Sequence, residues 1–310
     1  MALEMKYLIT GGYGLIGSNI ASKLDGEITI VSRSDKHKAR LTNTPHKLLL
    51  KDIKKLTKAD LVDIDIIYHT ASTVDNYHIL TDSHIDVETN INGTIHILDL
   101  CKHLKKKPKI VYFSTFFVYG NEYEKSKEPI TEESKTDPLA LYPATKLCTE
   151  NIIKTYSHIF GIPYLIVRLT NVYGEMEDYD NKKKGALNWL IMQAVQGNDL
   201  SIYKGGNFYR DYIHVDDVAQ AVISLQNKVN DTYLIGYGEP IRFKKLIEYI
   251  LLYTNHQSKV TEIEPPEFHK HVGITNFVAD TSKIQSTGWK PTITPKMGIE
   301  RVVKRYQSLI

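Results

Sequence analysis

The stretch TGGYGLIGS, residues 10–18, places Gly11, Gly14 and Gly17 in the spacing G-x-x-G-x-x-G. It follows an apolar run at 6–10 that predicts a strand, and it opens a segment at 15–24 that predicts a helix. Glycines at such a turn let backbone approach a pyrophosphate, and the helix N-terminus adds N–H donors and partial positive charge. The stretch therefore predicts a dinucleotide-binding turn, in preference to a plain glycine turn.

Short apolar runs alternate with longer amphipathic segments through the first half of the chain. Regular alternation of strand and helix predicts an α/β protein with a doubly wound parallel (Rossmann) sheet, and nearly continuous apolar runs suit strands covered on both faces. The further strands are predicted at 27–31, 46–50, 65–70, 109–115 and 163–170, and the further helices at 82–104 and 141–160.

Beyond about residue 172 this rhythm loosens, which predicts a smaller C-terminal α/β substrate-binding domain. We assign residues 1–171 to a dinucleotide-binding domain and 172–310 mainly to the second domain, with the chain partly interleaved. In the second part, helices are predicted at 186–197, 215–226, 242–253 and 295–308, and strands at 200–203, 209–213, 232–235 and 276–279.

Composition excludes several classes of protein. The 310 residues are 42% apolar and 24% charged, as in ordinary globular proteins, and the net charge of +3 is too small to indicate a nucleic-acid partner. Two cysteines and scattered histidines show no metal-ligand spacing, so no metal is predicted. No signal peptide and no apolar run of about 18 residues occur, so we expect a cytoplasmic enzyme without a membrane partner.

The end of the predicted second strand bears on the choice of cofactor. An Asp or Glu is expected there when NAD is bound, because a carboxylate accepts hydrogen bonds from the ribose. Ser32, Arg33 and Ser34 occupy this place instead. A guanidinium matches the oxygens of a 2′-phosphate, so NADP(H) is favoured. A solvated basic loop beside bound NAD remains the alternative.

Tyr142 and Lys146 of YPATK stand four residues apart on the predicted helix, so their side chains share one face. A nearby ammonium stabilises a phenolate and brings the pKa of a tyrosine toward the working range of an acid or base. Thr115 ends the preceding strand, where it can donate a hydrogen bond to a substrate oxygen. The three residues predict a site for proton transfer beside a dinucleotide.

Several ordered motifs now resemble the extended short-chain dehydrogenase/reductase family that acts on nucleotide sugars. The resemblance covers nearly the whole chain. It rests on TGGYGLIGS, KDI, IIYHTAS, NINGT, STFFVYG, YPATK, VRLTNVYG, RDYIHVDD and DTSKIQSTGWKP. One departure is Pro143, where the family has a small residue, although a proline is tolerated in the first turn of a helix.

This resemblance implies roles for individual residues. Thr115, Tyr142 and Lys146 would be the catalytic trio, and Lys146 would also hold the cofactor ribose. The expected cofactor contacts are Gly11, Tyr13, Gly14, Leu15, Ile16, Gly17, Ser32, Arg33, Ser34, Asp52 at the adenine, Ile53, Thr70, Ala71, Ser72 and Asn90. The expected contacts to a nucleotide-diphosphate sugar are Thr73, Phe116, Phe117, Asn171 and, at the diphosphate, Arg210. A homodimer through helices 82–104 and 141–160 is implied as well.

The pair Phe116-Phe117 narrows the chemistry. The family's 4,6-dehydratases carry Asp and Glu at these two positions, and enzymes resembling GDP-fucose synthase carry a cysteine in this segment. Phenylalanine neither gives nor takes a proton, so elimination and double epimerisation are disfavoured. Neighbours on a strand point to opposite faces, so we expect only one of the two rings to contact the sugar.

The reaction that remains is hydride transfer at C4 of the nucleotide-linked sugar. Arg33 favours NADPH-dependent reduction of a 4-keto-6-deoxy sugar, a step of deoxysugar biosynthesis for surface polysaccharide. The alternative is a nucleotide-sugar 4-epimerase with tightly bound NAD. A protein of another class, a non-catalytic NADP(H)-binding regulator, is a third reading, which retention of both Tyr142 and Lys146 disfavours.

Overall fold

A computed structural model describes residues 4–179, 186–255 and 257–310. The strands of the described residues are β1 (Lys6–Thr10), β2 (Glu27–Ser32), β3 (Lys47–Leu50), β4 (Ile66–His69), β5 (Lys109–Thr115), β6 (Tyr164–Leu169), β7 (Asn171–Tyr173), β8 (Leu200–Tyr203), β9 (Tyr209–Arg210), β10 (Tyr212–His214), β11 (Asp231–Ile235), β12 (Ile241–Arg242) and β13 (Val260–Ile263).

The α-helices of the same residues are α1 (Leu15–Ala21), α2 (Lys58–Leu61), α3 (His84–Asp86), α4 (Gly93–Lys102), α5 (Glu122–Ser126), α6 (Leu141–Phe160), α7 (Ala186–Val195), α8 (Val215–Ser224), α9 (Phe243–Tyr253), α10 (Glu267–Val272), α11 (Ser282–Gln285) and α12 (Pro295–Gln307). Short 3₁₀ turns occur at Lys38–Leu41, Ile53–Lys55, Asn76–Leu80, Phe116–Tyr119 and Lys204–Gly206.

One sheet of seven strands organises the fold, in the order β11-β6-β5-β4-β1-β2-β3. β1 pairs in parallel with both β2 and β4, and Thr10 lies opposite Val31 on one side and His69 on the other. The carboxyl ends of these strands therefore meet at one edge of the sheet, where such sheets bind ligands. The predicted α/β class with a doubly wound parallel sheet is confirmed.

The central strands of the sheet are buried because helices supply apolar side chains to its faces. β4 and β5 are buried along their whole length, as predicted for strands covered on both sides. Ile67 and Ile110 of these strands belong to one apolar cluster with Leu98 and Cys101 of α4 and Ile153 of α6. Burial of each large side chain contributes about 1.5–3 kcal/mol, so this cluster fixes α6 against the sheet.

The helix predicted at 82–104 is not one continuous α-helix. α3 is followed by a π-helix at Val87–Asn92 and only then by α4. The π turn accompanies the burial of Asn90, which is 1% exposed and whose backbone carbonyl accepts a hydrogen bond from Thr94 Oγ1. A π turn inside a helix often marks a functional segment, and periodicity alone does not reveal it.

The chain forms two compact units. Unit 1 comprises Met1–Val118, Ala140–Arg168 and Ala219–Tyr233, and unit 2 comprises Tyr119–Leu139, Leu169–Val218 and Leu234–Ile310. The strand predicted at 232–235 forms β11, at the edge of the seven-stranded sheet. The chain thus passes repeatedly between the units. The assignment of dinucleotide binding to residues 1–171 and of substrate binding mainly to residues 172–310 stays a prediction.

Unit 2 has its own core, built from α7, α9 and α12. Leu190, Leu246 and Val302 belong to its buried apolar cluster. The strand predicted at 276–279 is wrong, because the only pairing there within the described residues is a single bridge between Ile130 and Ala279. Phe277 N donates to Tyr209 O instead, so this segment is held by isolated hydrogen bonds rather than by a ladder.

Candidate active site

The glycine turn leaves no room for side chains. Gly11 has φ of +66°, and a Cβ added there would lie 2.9 Å from backbone atoms of Ala71. A Cβ on Gly17 would lie 2.8 Å from Gly11 O and 2.9 Å from Thr70 Oγ1. Gly14 precedes α1 and makes no side-chain cap, so its place before the helix suits an anion approaching the first turn. The cradle fits a dinucleotide pyrophosphate.

Tyr13 ties this turn to the segment after β2. Its hydroxyl lies 2.9 Å from His46 Nε2, and His46 Nδ1 lies 2.7 Å from Thr44 O, so the phenol donates to Nε2 while Nδ1–H donates to the carbonyl. Arg40 Nη1 donates to Tyr13 O at 2.8 Å. Tyr13 and Leu15 are buried and Ile16 is half-buried, so the first two support the turn from within.

The end of β2 presents a basic side chain. Ser32 Oγ donates to Ser34 O at 2.7 Å, which closes the turn around Arg33. Arg33 is exposed, and no hydrogen bond or ion pair joins it to the part of the chain that the structure describes. Asp52 Oδ1 accepts from Lys54 N at 2.8 Å, and Ile53 is buried. A guanidinium is thus available where a 2′-phosphate would be recognised.

Asn90 links the segment after β4 to α6. Its Oδ1 lies 2.9 Å from Ser72 Oγ and accepts from Thr73 N at 3.1 Å. Its Nδ2 donates to Thr73 Oγ1 at 2.9 Å and to Thr145 Oγ1 at 3.0 Å. Thr145 Oγ1 in turn donates to Tyr142 O at 2.7 Å. The network fixes the first turn of α6, which carries the candidate tyrosine.

The structure brings the predicted trio together in unit 1. Tyr142 lies in the first turn of α6, and its hydroxyl is close enough to the Thr115 side chain, at the end of β5, for that side chain to act on its pKa. Lys146 follows one turn later, with Nζ 3.3 Å from Ser72 Oγ and 4.2 Å from the centre of the Tyr112 ring. The ring face stabilises the ammonium by a cation–π interaction.

Burial is the largest cause of the pKa shifts of Tyr142 and Lys146. Burial raises the pKa of Tyr142; the Thr115 side chain opposes this, and the Asp86 carboxylate adds to it. Burial also lowers the pKa of Lys146 to about 7, although the Glu150 carboxylate acts in the opposite direction. Lys146 therefore titrates near neutrality, so small changes around it alter the charge available to stabilise a Tyr142 phenolate.

Phe116 and Phe117 form the turn after Thr115. Their ring centres are 4.3 Å apart; Phe116 is 1% exposed and Phe117 is half-buried. Phe117 N lies 3.3 Å from Thr115 Oγ1, which accepts its hydrogen bond. Phe117 is thus the ring with accessible surface, while sugar contact by either ring stays a prediction. Neither position supplies an acid or base.

Unit 2 holds a cavity of about 370 Å³ rich in cations. Its lining comprises Tyr203, Lys204, Phe208, Arg210, Pro265, His269, Lys270, Gly273, Ile274 and Thr275. Arg210 Nη1 is buried without a hydrogen-bond partner in the described part of the chain, and its guanidinium lies 5.5 Å from the Phe208 ring centre. Burial lowers the pKa of Arg210 to about 10, so it remains a cation at neutral pH. The cavity suits an anion.

Asn171 lies in β7, in unit 2. Its Nδ2 donates to Asp211 O at 2.8 Å, so one amide hydrogen is already used. The Asp211 carboxylate is buried and accepts from Thr170 Oγ1, Tyr237 N and Gly238 N at 2.7–2.8 Å. Asp211 was not among the predicted site residues, and the letters RDY alone do not show that the aspartate anchors the backbone beside Arg210.

A second group missed by the sequence lies beneath Lys146. Glu150, one turn further along α6, accepts hydrogen bonds from Arg168 of β6 and Ser114 of β5. The only signal was its spacing of four residues from Lys146, which did not disclose the partner strands.

Among the described residues, no cluster of metal-binding side chains occurs. No described helix has the length and apolar content needed to span a membrane.

A parallel sheet with a glycine turn after its first strand, and with tyrosine and lysine one turn apart, defines the extended short-chain dehydrogenase/reductase class. The chain belongs to the NAD dependent epimerase/dehydratase family, whose profile matches residues 7–236. The resemblance seen in the sequence is confirmed. The predicted enzyme class, an NAD(P)-dependent nucleotide-sugar oxidoreductase or epimerase, is also confirmed at the level of this family.

Similar proteins match nearly the whole length of the chain. A putative UDP-glucose 4-epimerase of Methanocaldococcus jannaschii is 29% identical over 96% of each chain. UDP-glucuronate 4-epimerase 1 of Arabidopsis thaliana is 27% identical over 97% of this chain and 76% of its own. The crystal structure of UDP-glucose 4-epimerase from Thermotoga maritima with UDP-glucose has a TM-score of 0.90 at 22% identity, covering 98% of this chain and 99% of its own. The last likeness concerns the fold alone.

Proposed function

We propose that the protein is a nucleotide-sugar 4-epimerase. The observation that carries this is the Thr115–Tyr142–Lys146 arrangement together with the two phenylalanines directly after Thr115. The trio supplies groups for hydride chemistry at C4, and the phenylalanines leave no acid or base at the two positions that serve elimination. Relatives named as 4-epimerases, matching nearly the whole chain, support the choice over net reduction.

The chain's residues would act on the C4 hydroxyl as follows. A bound nicotinamide dinucleotide would take the hydride from C4 and return it to the opposite face of that carbon, which inverts the configuration. Tyr142 accepts the hydroxyl proton at its phenolate oxygen during oxidation and gives it back to the C4 oxygen during reduction. Thr115 donates a hydrogen bond to the same oxygen, and the Lys146 cation lowers the cost of the phenolate.

The cation-rich cavity of unit 2 would bind the nucleotide diphosphate. The Arg210 guanidinium is cationic and has a buried Nη1 without a partner in the described residues, so a diphosphate oxygen would satisfy it. Tyr203 and His269, whose ring centres are 5.1 Å apart, offer apolar surface to a base. A homodimer and a cytoplasmic location stay predictions.

The second candidate is a 4-keto sugar reductase that consumes NADPH. Arg33 favours it, because an enzyme that exchanges its cofactor draws on NADPH, and a guanidinium suits the 2′-phosphate. We propose NADP(H) as the cofactor of this second candidate on the same ground, whereas the 4-epimerase would hold NAD.

One assay separates the candidates. Purified protein is incubated with UDP-glucose, UDP-glucuronate or UDP-N-acetylglucosamine without added cofactor, and the C4 epimer is followed by NMR. In parallel, 4-keto-6-deoxyhexose nucleotides are offered with NADPH, and absorbance at the nicotinamide band is recorded. Epimer formation supports the first proposal; stoichiometric NADPH oxidation without any epimer replaces it with the reductase. Cofactor binding with neither reaction would point to a regulator.

Arg33→Gln is expected to weaken NADPH binding by roughly tenfold to a hundredfold, because a charged hydrogen bond contributes about 1.5–3 kcal/mol. NADH affinity should change little, which makes it the internal control. Fluorescence titration of both nucleotides measures the effect. A wild-type protein that binds NADH more tightly, or an equal loss for both nucleotides in the variant, would contradict the NADP(H) preference.

A further inference from the structure

The face of α6 that carries the catalytic groups extends one turn beyond them. Tyr142, Lys146 and Glu150 are spaced by four residues, and all three side chains are buried, with Glu150 at 0% exposure. The mechanism proposed above uses the first two and leaves the carboxylate without a role. A buried carboxylate is costly unless it is paired and hydrogen-bonded, so its position calls for an explanation.

Glu150 is held by two neighbouring strands. Arg168 of β6 donates through Nε to Oε1 at 3.1 Å and to Oε2 at 3.2 Å, and through Nη2 to Oε2 at 2.7 Å. Ser114 of β5 donates its hydroxyl to Oε1. The carboxylate therefore joins α6 to both strands directly beneath the trio, and Ser114 precedes Thr115 in the chain.

The Glu150 carboxylate, one turn along α6, also acts on the charge of Lys146. Lys146 Nζ contacts Ser72 and the Tyr112 ring, and neither carries a negative charge. The charged and titratable groups around it are Tyr142 and Glu150 on α6, Tyr112 on β5, His69 on β4, Asp86 beyond Tyr142, and Arg168 behind Glu150. His69 is neutral, because burial and the Lys146 charge lower its pKa to about 3.

We propose that Glu150 is a positioning residue for the C4 reaction: clamped by Arg168 and Ser114, it sets the height of Lys146 and Tyr142 over the sheet and keeps Lys146 cationic. The catalytic assignment of Lys146 rests on the proposed function, whereas the effect of Glu150 on the lysine does not. Arg168 holds the carboxylate in place, and the lysine senses its charge from one turn away.

The test follows the Lys146 ammonium directly. Protein labelled with ¹³C at the lysine ε-carbons is titrated by NMR, and the Lys146 signal is assigned by its absence in Lys146→Arg. In Glu150→Gln the titration midpoint of Lys146 is expected to fall by about one pH unit, because an opposite charge nearby is removed. The alkaline limb of the kcat–pH profile should shift downward by the same amount.

Glu175→Gln is the matched control, since Glu175 is also paired with an arginine, Arg301, but belongs to unit 2. It should leave the Lys146 midpoint unchanged. Because Glu150→Gln takes the carboxylate away from the buried Arg168 guanidinium, Glu150→Leu/Arg168→Met is made as well; replacing a buried pair by apolar groups often preserves stability. The double variant removes the Arg168 cation together with the carboxylate, so its midpoint should fall less than in Glu150→Gln but stay below the wild-type value.

An unchanged midpoint in a folded Glu150 variant would overturn the proposal, as would a loss of kcat that is uniform across pH. Failure of both variants to fold would also overturn it, because the pair would then serve the fold alone. The NMR titration needs neither sugar nor cofactor. A shifted midpoint in a protein without 4-epimerase activity would therefore reject the proposed function and retain the role of Glu150.

Discussion

Tyr142→Phe is expected to lower the rate of C4 epimerisation by roughly 10²–10⁴-fold, the usual contribution of a positioned acid or base. The phenyl ring fills the same buried space in the first turn of α6, so the fold should be retained. It has no oxygen to accept the proton of the C4 hydroxyl or to return it. The measurement is the initial rate of epimer formation by NMR.

Cofactor binding is the control for this variant. The glycine turn and the segment after β2 are untouched, so NADPH or NADH affinity should stay within a few-fold of the wild-type value. Tyr112→Phe is the matched control, because it removes the hydroxyl of another buried tyrosine. That hydroxyl lacks a hydrogen-bond partner among the described residues. Full turnover in Tyr142→Phe would show that another group moves the proton and would refute the trio.

Arg210→Met should raise the KM for the nucleotide sugar by about 100-fold, because loss of a buried charged contact costs about 2–5 kcal/mol. Methionine keeps much of the side-chain volume beside Phe208 and removes the guanidinium that would meet the diphosphate. The residue has no chemical step in the mechanism, so kcat should fall far less than kcat/KM. Saturation kinetics with the best substrate measure both constants.

Arg242→Met is the control for charge and size. Arg242 is exposed in β12, which pairs with β9, and its Nε donates to Tyr209 Oη at 2.6 Å. Its removal should leave KM nearly unchanged. Equal effects of the two substitutions would mean that general positive charge attracts the substrate, and that Arg210 has no specific diphosphate contact.

The sequence was most informative where the pattern is local. The bounds of β1 and α6 are as predicted, since an apolar run and a 3.6-residue period are properties of consecutive residues. The spacing of Tyr142 and Lys146 follows directly from that helix. The approach of Thr115 to Tyr142 also follows, because β5 ends at the carboxyl edge of the parallel sheet and α6 begins there.

Other features depend on partners that are distant in sequence. The π turn at Val87–Asn92 accompanies contacts of Asn90 with Thr73 and Thr145, and neither partner is visible in the periodicity of that segment. Glu150 and Arg168 read as two ordinary charges until the sheet brings them together. The bridge at Ala279 replaces a strand because its partner, Ile130, offers only one pairing.

The late return of the chain to unit 1 has a consequence for synthesis. Lys109 in β5 donates to the carbonyls of Gln226 and Lys228, and Gln226 Nε2 donates to Tyr68 Oη at 3.1 Å. These acceptors and donors leave the ribosome 117 to 158 residues after the strand residues that they contact. We therefore expect a fragment ending at residue 171 to expose the edge of β6 and to aggregate, although it contains the entire glycine turn and the trio.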